Sequence, residues 1–169
     1  MKYLAYFFLL VTTVVLQIVL EDLISIKGVS PDFCLVAIGF IAMAESRLST
    51  TLLGFVIGFV IDALGSGMWG LNVLTKTVAG FMFGSIFNKL TVHHTFQPAF
   101  VIFSVALFHN ILLTLVLDVG TAHLGRDLLA YPLPSALYTF VIAQVFFSFL
   151  PGSTWRSLVK RRSRIYKEL

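Results

Sequence analysis

Charge is what this chain has least of. Only 12% of its 169 residues are Asp, Glu, Lys or Arg, about half the ~25% of an ordinary soluble domain. One cysteine, Cys34, excludes an internal disulfide, and its apolar surroundings assign it to the core as a small hydrophobe. No serine sits in a G-x-S-x-G elbow, no Cys–His constellation is visible, and no glycine loop precedes a lysine in the phosphate-cradling form. The usual signatures of nucleophilic and nucleotide chemistry are therefore missing. His93 and His94 are adjacent, so they do not share a helix face, and neither Cys nor carboxylate accompanies them. That is a weak metal cue, and neither metal nor cofactor is expected. No small-x-small site follows the first apolar run, so that run is expected to remain as an uncleaved first helix.

What the chain has is hydrocarbon: 58% apolar residues, 17 phenylalanines and a mean hydropathy of +0.95. One core of this size could not hide so much, and the medium that accommodates it is lipid. A spanning helix takes roughly 20 residues, so five or six of them use up most of the sequence. The expected architecture is all-α and integral to the membrane, with about six transmembrane helices in a single domain over residues 1–169 and a basic tail at 152–169.

Apolar runs cover 3–20, 33–44, 48–64, 71–87, 98–117 and 128–150. The second is short, about 18 Å at 1.5 Å per residue, and reads either as a full span or as a tilted or re-entrant segment. Pro31 favours a turn before it, and Asp32 is placed to cap it. Pro132 and Pro134 fall in the first turns of the sixth run. With both ends in the cytoplasm, nine basic residues lie inside, six of them between Arg156 and Lys167, against Lys27 and Arg126 outside. The positive-inside rule thus gives a cytoplasmic C-terminus. The tail is expected to anchor on anionic lipid, with protein docking as the alternative. It is too short and too close to the membrane to suggest nucleic-acid binding.

Two stripes of small and polar residues stand out. Thr50, Gly54, Gly58 and Asp62 recur every four residues, as do Asn72, Lys76, Gly80, Gly84 and Asn88. Four-residue spacing puts each set on one helix face, and a glycine-rich turn at 65–70 joins the two. The faces are expected to meet, with the glycines allowing close backbone approach and Asp62 at a depth where an ion pair with Lys76 is feasible. Glycine stripes serve packing or line a groove. Charges inside a span are costly and suggest function, or else a structural pair. Thr13 and Gln17 in the first run, Asn110 and Thr114 beside His109 in the fifth, and Gln144 in the sixth read as interhelical hydrogen-bonding groups.

Three stretches carry a resemblance: Gly28-Val29-Ser30-Pro31-Asp32, then Gly54-Phe55-Val56-Ile57-Gly58-Phe59-Val60-Ile61-Asp62, then Gly67-Met68-Trp69-Gly70-Leu71-Asn72. Together with the layout of the chain they resemble the bacterial rod shape-determining protein MreD family. Pro31, Asp32, Gly54, Gly58, Asp62, Gly67 and Gly70 match its pattern. The resemblance implies a non-enzymatic protein of the bacterial inner membrane that works in lateral wall growth. Its implied partners are MreC, a single-span protein, with the actin-like MreB, the glycosyltransferase RodA and a penicillin-binding transpeptidase. The implied fold is similar to the substrate-binding subunit of energy-coupling-factor vitamin transporters, six helices around a potential pocket. Two functions stay open: a membrane scaffold acting through lateral helix contacts, and a small-molecule-binding subunit of an energy-coupling-factor-type transporter using Asp62, Asn72, Lys76 and His109.

Overall fold

The computed structural model describes residues 2–26, 29–65, 68–90, 96–117 and 130–150. Among them the chain forms six helices: α1 (Lys2–Ile24), α2 (Phe33–Ala42), α3 (Arg47–Leu64), α4 (Leu71–Lys89), α5 (Phe96–Leu117) and α6 (Pro132–Ser148). Local chemistry sets several of the ends. The Asp32 carboxylate accepts from the Leu35 amide at 2.9 Å and caps α2, as expected from the sequence. Ser46 accepts from the Ser49 amide at 3.3 Å and caps α3. Pro132 opens α6 at the first helical position, where its missing N–H costs nothing. Lys89 lies in the last turn of α4, where a cation complements the helix dipole. At α1 the helix continues past the apolar run, through Glu21 and Asp22 to Ile24.

The short second run becomes the centre of the bundle. Eight of the ten α2 residues are buried, and α2 packs against each of the other five helices. A helix apolar on every side has no solvent face and belongs in a core. Ten residues give about 15 Å of helix, half of a ~30 Å hydrocarbon layer. The non-helical residues 29–32 therefore lead into the bundle rather than over its end. The antiparallel pairs α3–α4 and α5–α6 form the most extensive contacts, and α1 lies against α2 and, more thinly, α3. The Tyr6 hydroxyl donates to a Glu45 carboxylate oxygen at 3.1 Å, tying α1 to the turn after α2.

Polarity is arranged inside out compared with a water-soluble bundle. Thr13, Gln17, Thr50, Asp62, Thr75, Lys76, His109 and Thr139 are buried, whereas Phe7, Phe8, Val15, Phe55, Phe59, Phe100 and Val141 are exposed. Apolar rings outside and hydrogen-bonding groups inside suit a hydrocarbon solvent. Among the described helices α3 and α5 are long and apolar enough to cross a membrane unaided.

Candidate functional site

Residues 30–32 bring non-helical backbone into the bundle, where every polar group needs a partner. The partners come from two flanking helices. Ser135 Oγ donates to the Ser30 carbonyl at 2.8 Å. Gln17 bridges the segment with both ends of its amide, Nε2 donating to the Pro31 carbonyl at 3.3 Å and Oε1 accepting from the Phe33 amide at 2.8 Å. Thr139 Oγ1 accepts from the Asp32 amide at 3.0 Å. Pro31, having no N–H, brings no donor that would need satisfying. Gln17 was identifiable in the sequence as a polar residue on the first helix. Ser135 and Thr139 were missed there, although their four-residue spacing puts both on one face of α6.

The same Asp32 carboxylate that caps α2 also meets Lys76 of α4, Oδ2 to Nζ at 2.5 Å, with both side chains largely buried. This corrects the expected Asp62–Lys76 pair, and the reason is register. Gly54 of α3 lies against Lys76, and Gly58 against Asn72 and Val73. Asp62 is eight residues beyond Gly54, about 12 Å further along the axis. α4 begins beside Gly58 and Asp62, so Lys76 lies below the reach of Asp62 and extends towards α2.

Asp62 has a different task. Its Oδ2 accepts from the amides of Gly70 and Val73 at 3.0 and 2.9 Å. Its Oδ1 accepts from the Asn72 amide at 3.2 Å and from Asn72 Nδ2 at 2.9 Å. The first turn of a helix carries amides without intrahelical partners and the positive end of the dipole. Gly70, the residue at the cap position of α4, has no side chain to serve them. Asp62 therefore caps α4 from the neighbouring helix. Gly70 holds φ of 88°, the left-handed conformation that glycine adopts without strain.

The two glycine stripes face each other along the α3–α4 seam. A Cβ on Gly54 would lie 2.1 Å from the Lys76 carbonyl oxygen, and one on Gly58 2.4 Å from that of Asn72. On α4, a Cβ at Gly80 would lie 2.4 Å from the Thr50 carbonyl oxygen, and one at Gly84 2.6 Å from Arg47 Cα. All four obstacles are backbone atoms, so the seam has no room for even a methyl group. Gly67, from the same motif set, lies outside the described residues, as do His93, His94 and the basic tail.

On α5, His109 is buried and lies close enough to Lys76 and Asp32 to feel both charges. Its Nδ1 is 3.3 Å from Asn110 Oδ1. The Asp32–Lys76 pair thus joins α2 and α4, while Gln17, Ser135 and Thr139 bring in α1 and α6. Among the described residues no group of three His, Cys, Asp or Glu side chains could hold a metal ion.

Among the described residues three apolar hollows lie elsewhere. A groove of about 360 Å³ runs between α1, α2 and α6, past Thr13, Phe33, Ala37 and Phe146. A second, of about 230 Å³, separates α1 from α3 beside Val14 and Ile57. A third, of about 490 Å³, lies between Ile26, Val29 and the start of α6 at Tyr131 and Pro134. Asp32, Asp62, Lys76 and His109 line none of the three.

Comparison with known proteins adds one match. A family model described as rod shape-determining protein MreD matches residues 1–151. No curated protein and no solved structure matches the chain.

Proposed function

We propose that this chain, which belongs to the rod shape-determining protein MreD family, is a non-enzymatic scaffold of the bacterial cell-elongation complex. It acts by presenting lateral helix faces to an MreC-like single-span membrane protein. MreB, RodA and a penicillin-binding transpeptidase complete the assembly it serves. In this reading residues 1–169 form one multi-pass domain of the inner membrane with six spans, and the basic tail at 152–169 is cytoplasmic. Pro31, Asp32, Gly54, Gly58, Asp62, Gly67, Gly70, Asn72, Lys76, Gly80 and Gly84 serve helix packing or shape the partner groove or pocket in this reading. The architecture is similar to that of energy-coupling-factor substrate-binding subunits.

The observation that carries this reading is how the buried polar side chains are used. Asp32 caps α2 and holds Lys76, Asp62 caps α4, and Gln17 and Thr139 hold residues 31–33. Groups bound to one another in this way build a rigid frame. The outward faces of α1, α3 and α6 are apolar, and within a membrane such faces are surfaces on which another helix packs.

A second reading, a small-molecule-binding subunit of an energy-coupling-factor-type transporter, is favoured by the buried Asp32–Lys76 pair and the buried His109 within its field. Purification of the tagged chain in mild detergent, with mass spectrometry of bound proteins and small molecules, separates the two. The scaffold reading expects an MreC-like protein at stoichiometric level. It also expects photo-crosslinks to that protein from probes at exposed positions such as Phe8, Val56 or Val141. A retained solute with a partner ATPase, and no wall-growth protein, overturns it.

A further inference from the structure

His109 is only 2% exposed, and its two ring nitrogens differ. The Asn110 amide nitrogen donates to the Pro132 carbonyl at 3.4 Å. A carbonyl only accepts, so this bond fixes the amide orientation and turns Asn110 Oδ1 towards His109 Nδ1, 3.3 Å away. An amide oxygen also only accepts, so Nδ1 carries the proton. In a neutral imidazole the other nitrogen is then an acceptor. That acceptor, Nε2, is buried and has no hydrogen-bond partner among the described residues. A buried polar atom without a partner is uncommon enough to need a specific explanation, and an internal guest is one.

The surroundings restrict what the guest can be. The ring is within the fields of the Lys76 ammonium and the Asp32 carboxylate. An ammonium guest would be repelled by Lys76. A carboxylate would present an acceptor to an acceptor. A metal ion would lack ligands, since no three suitable side chains converge among the described residues. A hydroxyl group meets the requirements, because it donates through its hydrogen and accepts through its oxygen. It can donate to Nε2 and accept from the lysine.

We propose that His109 Nε2 is the acceptor of a binding site for one small hydroxylic guest, a water molecule or the hydroxyl of a small ligand, held between α5 and the Asp32–Lys76 pair. The guest brings α5 into the polar network that already joins α1, α2, α4 and α6. It binds in the interior of the bundle, away from the three apolar hollows.

The test is nitrogen NMR on the full chain in lipid nanodiscs with 15N-labelled histidine. Changing His93→Asn, His94→Asn and His123→Asn leaves His109 as the sole imidazole. Should that variant not fold, the same signal is identified in the wild-type protein by its loss in His109→Gln. The expected spectrum has a protonated Nδ1, an unprotonated Nε2, and a through-space transfer to Nε2 from a slowly exchanging hydroxyl proton. If protein made by cell-free synthesis directly into nanodiscs gives the same transfer, the guest is water. If only protein purified from cells gives it, together with an extractable hydroxylic compound, the guest is a ligand. A protonated Nε2, an Nε2 with no proton contact, or a contact from the Lys76 ammonium protons overturns the proposal.

Discussion

Lys76 reaches out of the α3–α4 hairpin to Asp32 at the head of α2, passing over the carboxylate of its own hairpin, Asp62. Its backbone carbonyl faces Gly54 while its side chain leaves the seam. The closest helix pair and the central helix are thereby joined through one residue. The buried charge is neutralised by a carboxylate that is itself fixed by its capping bond to Leu35.

Removing one member of that pair leaves the other charged and buried. Lys76→Met or Asp32→Asn should each cost about 3–5 kcal/mol, read as loss of thermal stability in detergent. The double variant Asp32→Asn with Lys76→Met keeps a capping oxygen and removes both charges, so it should regain much of the loss. Strict additivity of the two single changes would exclude the pair.

Asp62 and Lys76 should be energetically independent. Asp62→Ala strands the amides of Gly70, Asn72 and Val73 and should cost about 1–3 kcal/mol. Combined with Lys76→Met, the losses should add to within about 0.5 kcal/mol, as for sites without shared partners. A coupling of more than about 1 kcal/mol in that cycle would restore the ion pair expected from the sequence.

The glycines should separate into classes by what surrounds them. Gly54→Ala, Gly58→Ala and Gly80→Ala drive a methyl group into backbone oxygen, so each should splay α3 from α4 and lower the melting temperature sharply. At Gly39 the nearest atoms belong to the Ile102 side chain, which can turn aside, so Gly39→Ala should be milder. Gly70 has open space around it but a positive φ, so Gly70→Ala should cost about 1–2 kcal/mol of backbone strain. Gly70→Asn should cost less. Equal losses at all five positions would contradict this ordering.

Thr139→Val removes the acceptor for the Asp32 amide at almost constant volume and should cost about 1–3 kcal/mol. Gln17→Leu strands both the Pro31 carbonyl and the Phe33 amide and should cost more. Hydrogen exchange at Phe33 should speed up in Gln17→Leu and stay near wild type in Thr139→Val. Unchanged exchange at Phe33 in Gln17→Leu would remove Gln17 from its bridging role.

Much of this frame was legible in the residue order, and particular positions show why. The stripes at Gly54, Gly58, Gly80 and Gly84 read as a close helix contact because four-residue spacing is a local property of any helix. Asp32 read as a cap because it follows Pro31 and precedes an apolar run. Partner choice was not legible. Which carboxylate Lys76 meets depends on how deep α4 starts relative to α3, and that follows from backbone contact along the seam. Ser135 and Thr139 were passed over for a related reason, since their partners are backbone atoms more than a hundred residues away.

From residue order alone came the apolar medium, the helical repeat, the approximate ends of the six helices and the faces that carry glycine. Each of these depends on composition or on neighbours within a turn or two. Tertiary structure alone decided that α2 is the core, that Asp32 and not Asp62 holds Lys76, and that His109 is buried within the field of that pair. Those outcomes come from packing several helices at one depth, where a shift of two turns moves a side chain about 11 Å and gives it a different partner.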